Sequence, residues 1–348
     1  MTETHPDAAP VRVGLFGCGS FGRHHARIYA QSPRAHLVGI HDRNPAAARA
    51  LAAEYGVPVY DDPHRLAAAI QAASIAVPTA FHAPLAIDLL RRGCDVLVEK
   101  PIAPTLAAAD AMLAAAQASG RILQVGHLER FNPAVRLVRP RLTQPLFFEV
   151  HRLSLFSPRS LDVDVLLDLM IHDLDIVLSF LSARGPAAEI EDLRAVGLPV
   201  LSRKADIANV RLGFANGCVA NLTASRISTE RVRKLRLFQP GEYISLDYTR
   251  QDAHVFSLVG QAAPPATGTP AAGTPTIVPC HLTAPPTEPL AAELDAFLSS
   301  VRTRQPPECG GAEARAALAA ALRASQALAR HADRLGLGHR LTASERME

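Results

Sequence analysis

The chain has 348 residues and a composition that is 48% hydrophobic and 20% charged, so we expect a globular protein of two domains. The formal net charge is only +3 and the lysines and arginines are scattered, which excludes the basic patch of a nucleic-acid-binding protein. No apolar run approaches the roughly 20 residues that span a bilayer, so no membrane partner is expected.

Short apolar runs alternate with alanine-rich stretches over the first third of the chain. The apolar runs, each predicted to be a strand, lie at 11–17, 36–42, 57–60, 73–79, 95–101 and 121–127. Helix-like stretches separate them, among them 21–32 and 45–56, the second ended by a glycine. Apolar strands that alternate with helices predict a parallel, doubly wound sheet, which we assign to residues 1–126.

The pattern changes in the second part of the chain. Strand-like runs are predicted at 145–156, 207–214, 217–227, 233–240 and 242–249, and helices at about 163–182, 288–303 and 312–336. Asn216-Gly217 joins two of the runs and predicts a tight hairpin. The segment 260–276, which is Pro, Gly, Ala and Thr apart from one Gln, is predicted to be a flexible loop. Residues 127–348 are therefore predicted to form an α+β domain with a large, open, mostly antiparallel sheet.

A glycine-rich segment, GCGSFG, follows the first predicted strand and opens the first predicted helix. In this context Gly17 permits a tight turn, Gly19 lets the backbone approach a pyrophosphate, and Gly22 lets the helix pack on the strand. The helix N-terminus, with Ser20 and Phe21, would offer backbone N–H groups to the phosphates. The segment predicts a Rossmann-type dinucleotide site, the alternative being a purely structural turn.

The second predicted strand ends in Asp42, 20 residues after Gly22. A carboxylate at this position accepts hydrogen bonds from an adenosine ribose and repels a 2′-phosphate. We therefore predict NAD rather than NADP as cofactor. The adjoining Arg43 weakens this inference, because a guanidinium could pair with a 2′-phosphate or stack on adenine.

A lysine stands at the carboxyl end of the predicted strand 95–101, in the sequence Glu99-Lys100-Pro101. Ligands of doubly wound sheets bind beyond those strand ends, so Lys100 would lie near a bound nicotinamide. A solvated lysine before a turn, with Glu99 as its surface partner, is the alternative.

Four titratable residues lie in the predicted helix LLDLMIHDLDIVLSFL. At about 100° per residue, Asp168, His172 and Asp175 share one face, whereas Asp173 points elsewhere and is expected to be structural. Burial of an unpaired charge is costly, so we predict that the polar stripe faces a cleft. A solvated stripe, or a buried Asp–His pair that stabilises the fold, are the alternatives.

Taken together, the glycine loop, Glu99-Lys100-Pro101, and Asp168 with His172 resemble the Gfo/Idh/MocA oxidoreductases, and the resemblance covers nearly the whole chain. It implies sugar or cyclitol dehydrogenation by a Rossmann domain followed by an open sheet domain. It also implies that the C-terminal helices return toward the first domain.

The resemblance further implies roles for single residues. Lys100 would be the active-site lysine, and the peptide bond before the corresponding proline, here Pro101, is often cis in the family. Asp168 and His172 would be the acid and the histidine of the active site. Thr79 and His82 match the loop that borders the nicotinamide. Glu99 and Lys100 are also expected to belong to the cofactor site. Lys100, Asp168 and His172 would also contact the substrate.

A narrower resemblance, carried by residues 125–136 and 157–176, is to the UDP-N-acetylglucosamine 3-dehydrogenases of the same family. These oxidise the sugar C3 hydroxyl before an amino group is introduced for lipid A-type glycans. Arg130, Asn132 and Arg159 then become candidates for holding the substrate, because a guanidinium can pair two diphosphate oxygens. A surface salt bridge is the alternative for each arginine.

The expected reaction removes a hydroxyl proton while the same carbon gives a hydride to the nicotinamide. His172 is the natural base at neutral pH, and Asp168 would orient the imidazole or the substrate. Lys100 would stabilise the developing alkoxide or share the proton. Lys100 is also the alternative base, because burial can depress a lysine pKa.

Two other functions stay open: a dehydrogenase of a free sugar or inositol, and a non-enzymatic NAD-binding regulator. The second sheet is expected to leave one face bare, which predicts a homodimer or homotetramer. The polar N-terminus lacks a signal-peptide pattern, and the five distant cysteines include no CxxC pair. We therefore expect a cytoplasmic protein without a metal or a disulfide framework.

Overall fold

The computed structural model describes residues 9–156, 164–184, 189–260 and 276–336. The chain divides into two compact units. Unit 1 comprises Met1–Phe131 and Glu288–Leu318, and unit 2 comprises Asn132–Thr287 and Ala319–Glu348. The domain division at 126/127 remains a prediction.

Unit 1 is built on a five-stranded parallel sheet in the order β2-β1-β3-β4-β5. Its strands are β1 (Val11–Phe16), β2 (Ala35–His41), β3 (Ala72–Ile75), β4 (Asp95–Glu99) and β5 (Leu123–Gly126). The strands β3, β4 and β5 are buried at every position, as expected of a parallel sheet with both faces covered. The predicted doubly wound sheet is confirmed.

Helices separate the strands of unit 1. They are α1 (Ser20–Gln31), α2 (Pro45–Tyr55), α3 (Pro63–Ala69), α4 (His82–Arg91) and α5 (Leu106–Ser119), with a 3₁₀ turn at Thr79–Phe81 and another at Leu128–Phe131. The helix α2 begins at the side-chain cap Asn44 and ends at Gly56, which has a φ of +65°. Only Val59 of the run 57–60 forms an isolated bridge, to Ile40, so the strand predicted there is wrong.

A helix from the C-terminal part of the chain completes the core of unit 1. The helix α8 (Pro289–Thr303) contributes Leu294, Phe297 and Leu298 to the same apolar cluster as Val13 and Leu15 of β1. The first domain is therefore built from both ends of the sequence. The next helix, α9 (Gly311–Arg334), begins in unit 1 and ends in unit 2.

Unit 2 contains an eight-stranded sheet that is antiparallel except for one parallel pair, β6 with β9. Its strands are β6 (Phe147–Leu155), β7 (Ile190–Leu198), β8 (Ile207–Phe214), β9 (Val219–Ser228), β10 (Val232–Gln239), β11 (Glu242–Asp247), β12 (Asp252–Val259) and β13 (Thr276–Thr283), in the order β13-β12-β11-β10-β6-β9-β8-β7. The predicted mostly antiparallel sheet is confirmed. The predicted hairpin also forms, since β8 and β9 pair antiparallel around Gly217, which has a φ of +83°.

Three strands were not predicted: β7, β12 and β13. The strand β13 contains Pro279, which is tolerated because β13 is the last strand of the sheet. Residues 261–275 of the predicted flexible loop lie outside the described residues. The helices of unit 2 are α6 (Pro133–Val138) and α7 (Ile171–Leu181), with 3₁₀ turns at Arg139–Arg141 and Ser182–Arg184 and a π-helix at Leu166–Met170.

One face of this sheet carries alternating, partly exposed side chains. Phe147, Phe238, Tyr243 and Phe256 are cross-strand neighbours on it, and their rings lie 4.8–5.7 Å apart between centroids. Phe238 and Phe256 are 38% and 37% exposed. The sheet therefore presents an aromatic row on the face opposite its buried apolar side chains.

Candidate functional site

The glycine loop follows β1 and opens α1, as predicted. Gly17 has a φ of +103°, and a Cβ added to it would lie 2.5 Å from the carbonyl oxygen of Ala76. A Cβ on Gly22 would lie 2.0 Å from the carbonyl oxygen of Gly17. A larger side chain at position 17 would push the loop away from the end of β3. A larger side chain at position 22 would push α1 away from the loop. Gly19 is different, because a Cβ there would meet no atom within 4 Å.

The loop opens onto a cleft of about 860 Å³ in unit 1. Six of the residues predicted to bind a cofactor line it: Gly17, Gly19, Ser20, Phe21, Asp42 and Arg43. Within the described residues, no side chain caps the N-terminus of α1, where Gly19 is the N-cap residue. The N–H groups of an uncapped first helical turn point outward and attract anions. This end of the cleft is suited to a phosphate.

Asp42 is fixed at the carboxyl end of β2 by two backbone donors. The N–H of Cys18 donates to its Oδ2 at 2.6 Å, and the N–H of Asn44 donates to its Oδ1 at 2.7 Å. Each carboxylate oxygen retains a further lone pair for a ligand hydroxyl. The carboxylate is thereby held in the cleft at one orientation.

The neighbouring thiol of Cys18 is not a reactive group. Burial raises its pKa to about 12, and the negative charge and hydrogen bond of Asp42 add to this effect. The thiol is therefore protonated at neutral pH and acts as a small apolar side chain.

Sequence reasoning missed nine further residues that line the cleft. They are His41, Asn44, Pro63, Ala76, Val77, Pro78, Phe81, Pro84 and Leu85. The guanidinium carbon of Arg43 lies 5.0 Å from the centroid of the Phe81 ring, which is the range of a cation–π contact. The signal was present in the sequence, because Phe81 stands between the two residues, Thr79 and His82, that were assigned to the cofactor loop.

Behind the end of β4 lies a buried polar network that the sequence did not indicate. The side chain of Glu99 is 8% exposed, and its Oε1 lies 3.0 Å from Nε2 of His25. The other ring nitrogen of His25 lies 2.6 Å from Oγ of Ser74. This pairing holds the carboxylate of Glu99 toward α1, and its predicted contact with the cofactor stays a prediction. The network fixes the residue that directly precedes Lys100.

His82, a second residue assigned to the cofactor, is also built into the fold. It is 1% exposed, and its ring nitrogens lie 2.9 Å from the carbonyl oxygens of Pro101 and Val77. Burial lowers its pKa, and the two backbone oxygens oppose that shift only in part. His82 therefore ties the loop after β3 to the segment after β4. Thr79 begins the 3₁₀ turn that precedes it and is half-buried.

Lys100 directly follows β4 and is half-buried, at the sheet edge where ligands of doubly wound folds bind. Its peptide bond to Pro101 is cis, as the family resemblance implied. The structure thus places the lysine at the expected edge of the parallel sheet of unit 1.

In unit 2, the helix with four titratable residues does not have uniform α-helical geometry. Leu166–Met170, which includes Asp168, is a π-helix, and α7 continues from Ile171. The side chain of Asp164 accepts hydrogen bonds from the N–H groups of Leu166 and Leu167 at 3.0 Å and so caps the start. Single π turns of this kind are frequent at functional sites. The π turn was not predicted.

The four titratable residues fall into two classes by burial. Asp168 and His172 are half-buried, whereas Asp173 and Asp175 are each 1% exposed. Asp173 is held by Arg152 of β6, whose Nε and Nη2 donate to its two oxygens at 2.7 and 2.8 Å. The predicted structural role of Asp173 is confirmed. Asp175 does not share the accessible part of the stripe, because α7 is buried around most of its circumference.

Comparisons with known proteins agree with this architecture. The sequence model of the Gfo/Idh/MocA proteins, described as an oxidoreductase family with an NAD-binding Rossmann fold, matches residues 11–127. UDP-N-acetylglucosamine 3-dehydrogenase of Acidithiobacillus ferrooxidans is 36% identical over 90% of this chain and 95% of its own. This chain belongs to the Gfo/Idh/MocA oxidoreductases.

Other members of the family extend the comparison. A solved structure of the Acidithiobacillus ferrooxidans enzyme superposes with a TM-score of 0.83 and covers 92% of this chain and 98% of its own, at 34% identity. Inositol 2-dehydrogenase of Rhizobium meliloti is 32% identical over 63% of this chain and 70% of its own. This Gfo/Idh/MocA protein is therefore an oxidoreductase whose N-terminal unit is an NAD-binding Rossmann domain.

The cleft of this oxidoreductase fits the cofactor that the family implies. The space at Gly19 and the uncapped first turn of α1 suit a pyrophosphate, and the fixed carboxylate of Asp42 suits a ribose diol. The Arg43–Phe81 pair lines the same cleft as Asp42 and offers flat surfaces to a ring of the cofactor.

The residues predicted to hold the substrate have different surroundings. Arg130 is 4% exposed and its Nη1 donates to the carbonyl oxygen of Glu308 at 2.9 Å. Asn132 is 2% exposed, caps α6 and donates to the carbonyl oxygen of Tyr248. Both side chains make contacts within the fold. Arg159 lies outside the described residues.

None of the described helices is both long and apolar enough to cross a bilayer.

Proposed function

We propose that this enzyme uses NAD to oxidise the C3 hydroxyl of UDP-N-acetylglucosamine to a ketone. The observation that carries the proposal is the 36% identity to a UDP-N-acetylglucosamine 3-dehydrogenase, which extends over 90% of this chain rather than over the Rossmann unit alone. Specificity for a sugar resides outside the dinucleotide cleft, so similarity over unit 2 is the part that bears on substrate. A 3-keto sugar is a substrate for amination, which fits the synthesis of 3-amino-sugar glycans.

The residues of the chain have separate tasks in this reaction. When bound, NAD accepts the hydride from the carbon that carries the hydroxyl. His172 takes the hydroxyl proton, and Asp168 orients its imidazole or the substrate. Lys100 stabilises the negative charge that develops on the oxygen, or shares the proton. All three side chains are half-buried rather than enclosed in the core, which is a requirement for contact with a substrate.

The first experiment measures NADH formation with UDP-N-acetylglucosamine, glucose and myo-inositol at equal concentrations. The nucleotide sugar is expected to be the preferred substrate, and its product to carry the carbonyl at C3 by NMR. No NADH with UDP-N-acetylglucosamine would contradict the proposal.

Variants then test the assigned roles. His172→Ala, Asp168→Asn and Lys100→Met are each expected to lower kcat by about 10²- to 10⁴-fold, the usual contribution of acid–base catalysis. His64→Ala and Lys204→Met are the matched controls, because they remove the same side-chain types elsewhere in the chain. Rates within a factor of about two of wild type in a catalytic variant would remove that residue's role.

The preference for NAD over NADP is proposed from Asp42. Its carboxylate would be placed against a 2′-phosphate and repel it. The variant Asp42→Ser should raise kcat/KM with NADP and lower it with NAD, because Arg43 would then face the phosphate without a competing anion. An unchanged ratio would mean that Asp42 does not select the cofactor.

A second candidate is oxidation of inositol or a free sugar. It is favoured by the inositol 2-dehydrogenase of Rhizobium meliloti, which is 32% identical over 63% of this chain. Under this alternative, myo-inositol gives NADH and uridine nucleotides do not inhibit. Under the first proposal, UDP competes with the substrate because both occupy the nucleotide part of the site.

We further propose that the protein is a homodimer or homotetramer in the cytoplasm, with the aromatic row of the eight-stranded sheet in the interface. The row of Phe147, Phe238, Tyr243 and Phe256 is apolar and laterally continuous, and such faces tend to be covered. Light scattering should give two or four chains per particle, and Phe238→Glu should shift the particle toward one chain.

A further inference from the structure

A cluster of potential metal ligands lies at the edge of the sheet of unit 2, outside the residues assigned to the reaction. His254 of β12 and His281 of β13 are directly paired across the two strands. Asp252 lies two residues before His254 and therefore on the same face of β12. One ligand atom from each of the three residues lies within 4.8 Å of the others.

The spacing of these side chains is close to that of a metal site. The Nε2 of His281 lies 3.0 Å from Oδ2 of Asp252, so the two atoms must separate only slightly to reach the roughly 3.4 Å between two ligands of a tetrahedral zinc ion. The rings of His254 and His281 are parallel, with centroids 4.2 Å apart. Rotation of the His254 side chain toward Asp252 would bring its nitrogen into the same sphere. The side chain of His281 is 48% exposed, so the cluster is accessible to an ion.

We propose that Asp252, His254 and His281 bind one zinc ion. Two imidazoles and a carboxylate form a common zinc ligand set, and borderline nitrogen donors favour Zn²⁺ over Mg²⁺ or Ca²⁺. Three protein ligands leave at least one position of a tetrahedral ion for water or a group from another molecule. The ion would join the last strand, β13, to β12 by side chains as well as by the backbone ladder.

One cationic side chain lies beside the carboxylate of Asp252. The Nε of Arg250 lies 3.2 Å from Oδ1 of Asp252, while its own side chain is 55% exposed. Arg250 competes for the carboxylate and must move aside or share it, so Arg250→Ala should strengthen zinc binding.

The test uses the full chain stripped with EDTA and titrated with ZnCl₂ in a calorimeter, with bound zinc counted by mass spectrometry after gel filtration. Wild type is expected to retain about one zinc per chain. His254→Asn, His281→Asn and Asp252→Asn should each weaken binding by about tenfold or more. Circular dichroism and NAD titration check that the variants fold.

Two controls separate this site from other zinc binding. His64→Asn removes an exposed histidine that also lies beside an aspartate, Asp88 at 3.3 Å, and its affinity for zinc should equal that of wild type. Co²⁺ in place of Zn²⁺ should give a spectrum of nitrogen and oxygen ligands. A thiolate band would assign the ion to an exposed cysteine such as Cys280 and overturn the proposal. Absence of binding to the wild type, or wild-type affinity in His254→Asn and His281→Asn, would also overturn it.

Discussion

Removal of one partner of the buried ion pair between α7 and β6 should be one of the most destabilising single changes in unit 2. The side chains of Arg152 and Asp173 are 3% and 2% exposed, and the guanidinium also lies 5.3 Å from the centroid of the Tyr248 ring. The variant Asp173→Asn keeps the volume but removes the charge. The guanidinium then stays buried without the carboxylate that contacts two of its nitrogens.

The magnitude follows from the burial and the two-point geometry. Removal of one partner of a buried pair typically destabilises by about 3–5 kcal/mol. The slope of stability with urea is about 1–3 kcal/mol per molar for small domains. With a slope near the middle of that range, the urea midpoint of unit 2 should fall by roughly 1.5–2.5 M.

The assay is urea unfolding followed by circular dichroism, because the chain contains no tryptophan. The matched control is Asp192→Asn, which makes the same change in a pair whose side chains are 58% and 80% exposed. The midpoint of that variant should stay within about 0.5 M of wild type, since exposed pairs contribute little. Thermal melts should give the same order of stability.

A double variant tests whether the loss of stability comes from the unpaired buried charge. Replacement of both residues by apolar ones, Arg152→Met with Asp173→Leu, should be less destabilising than Asp173→Asn alone, because no charge is left buried. A midpoint shift below about 0.5 M for Asp173→Asn, or a double variant less stable than the single one, would refute this account of the pair.

Three further predictions concern unit 1. Gly19→Ala should melt at the wild-type temperature but lose NAD affinity, because its Cβ has room in the fold yet enters the phosphate end of the cleft. Gly22→Ala should lose both thermal stability and NAD affinity, since its Cβ would lie 2.0 Å from a carbonyl oxygen. His25→Ala should destabilise by about 1–3 kcal/mol in urea, because it removes the contact of Glu99 at 3.0 Å, and equal midpoints for variant and wild type would contradict this. The pKa of His82 is lowered by burial, so the unfolded chain binds the proton more readily and stability should fall as pH drops below about 6.5. Thermal melts of His82→Asn between neutral and acidic pH should show a smaller loss than wild type, and parallel curves would count against the sign of this shift.

Much of the first unit could be read from local patterns. Apolar runs that alternate with helices predict a parallel sheet, because strands buried on both faces are mostly apolar. The glycine loop was recognisable because few residues tolerate a positive φ or a close backbone contact, and Asp42 because an acid at the end of the second strand can bind a ribose. The strand predicted at 57–60 is reduced to a single bridge between Val59 and Ile40, which the local apolar pattern could not show. The strands β7, β12 and β13 were missed because many of their positions are exposed, and β13 contains a proline.

Part of the candidate site was likewise predictable from the sequence, and part was not. The catalytic roles of Lys100, Asp168 and His172 were predicted from the sequence, since their types and spacing resemble a family, and they stay predictions. It separated Asp173 from the stripe by helical periodicity alone. It could not show that Asp173 pairs with Arg152 of β6, that Glu99 and His82 are bound within the fold, or that the helix begins with a π turn.

By itself, then, the sequence determined most of the elements of unit 1, the dinucleotide loop and the family, because these depend on residue type and on spacing along the chain. Only the tertiary structure decided which charged side chains are paired. His25 and Glu99 are 74 residues apart, and His254 and His281 meet only because β12 and β13 align antiparallel. Pairing of charges depends on distance in space and on exclusion of water, and neither is written in the spacing of residues along the chain.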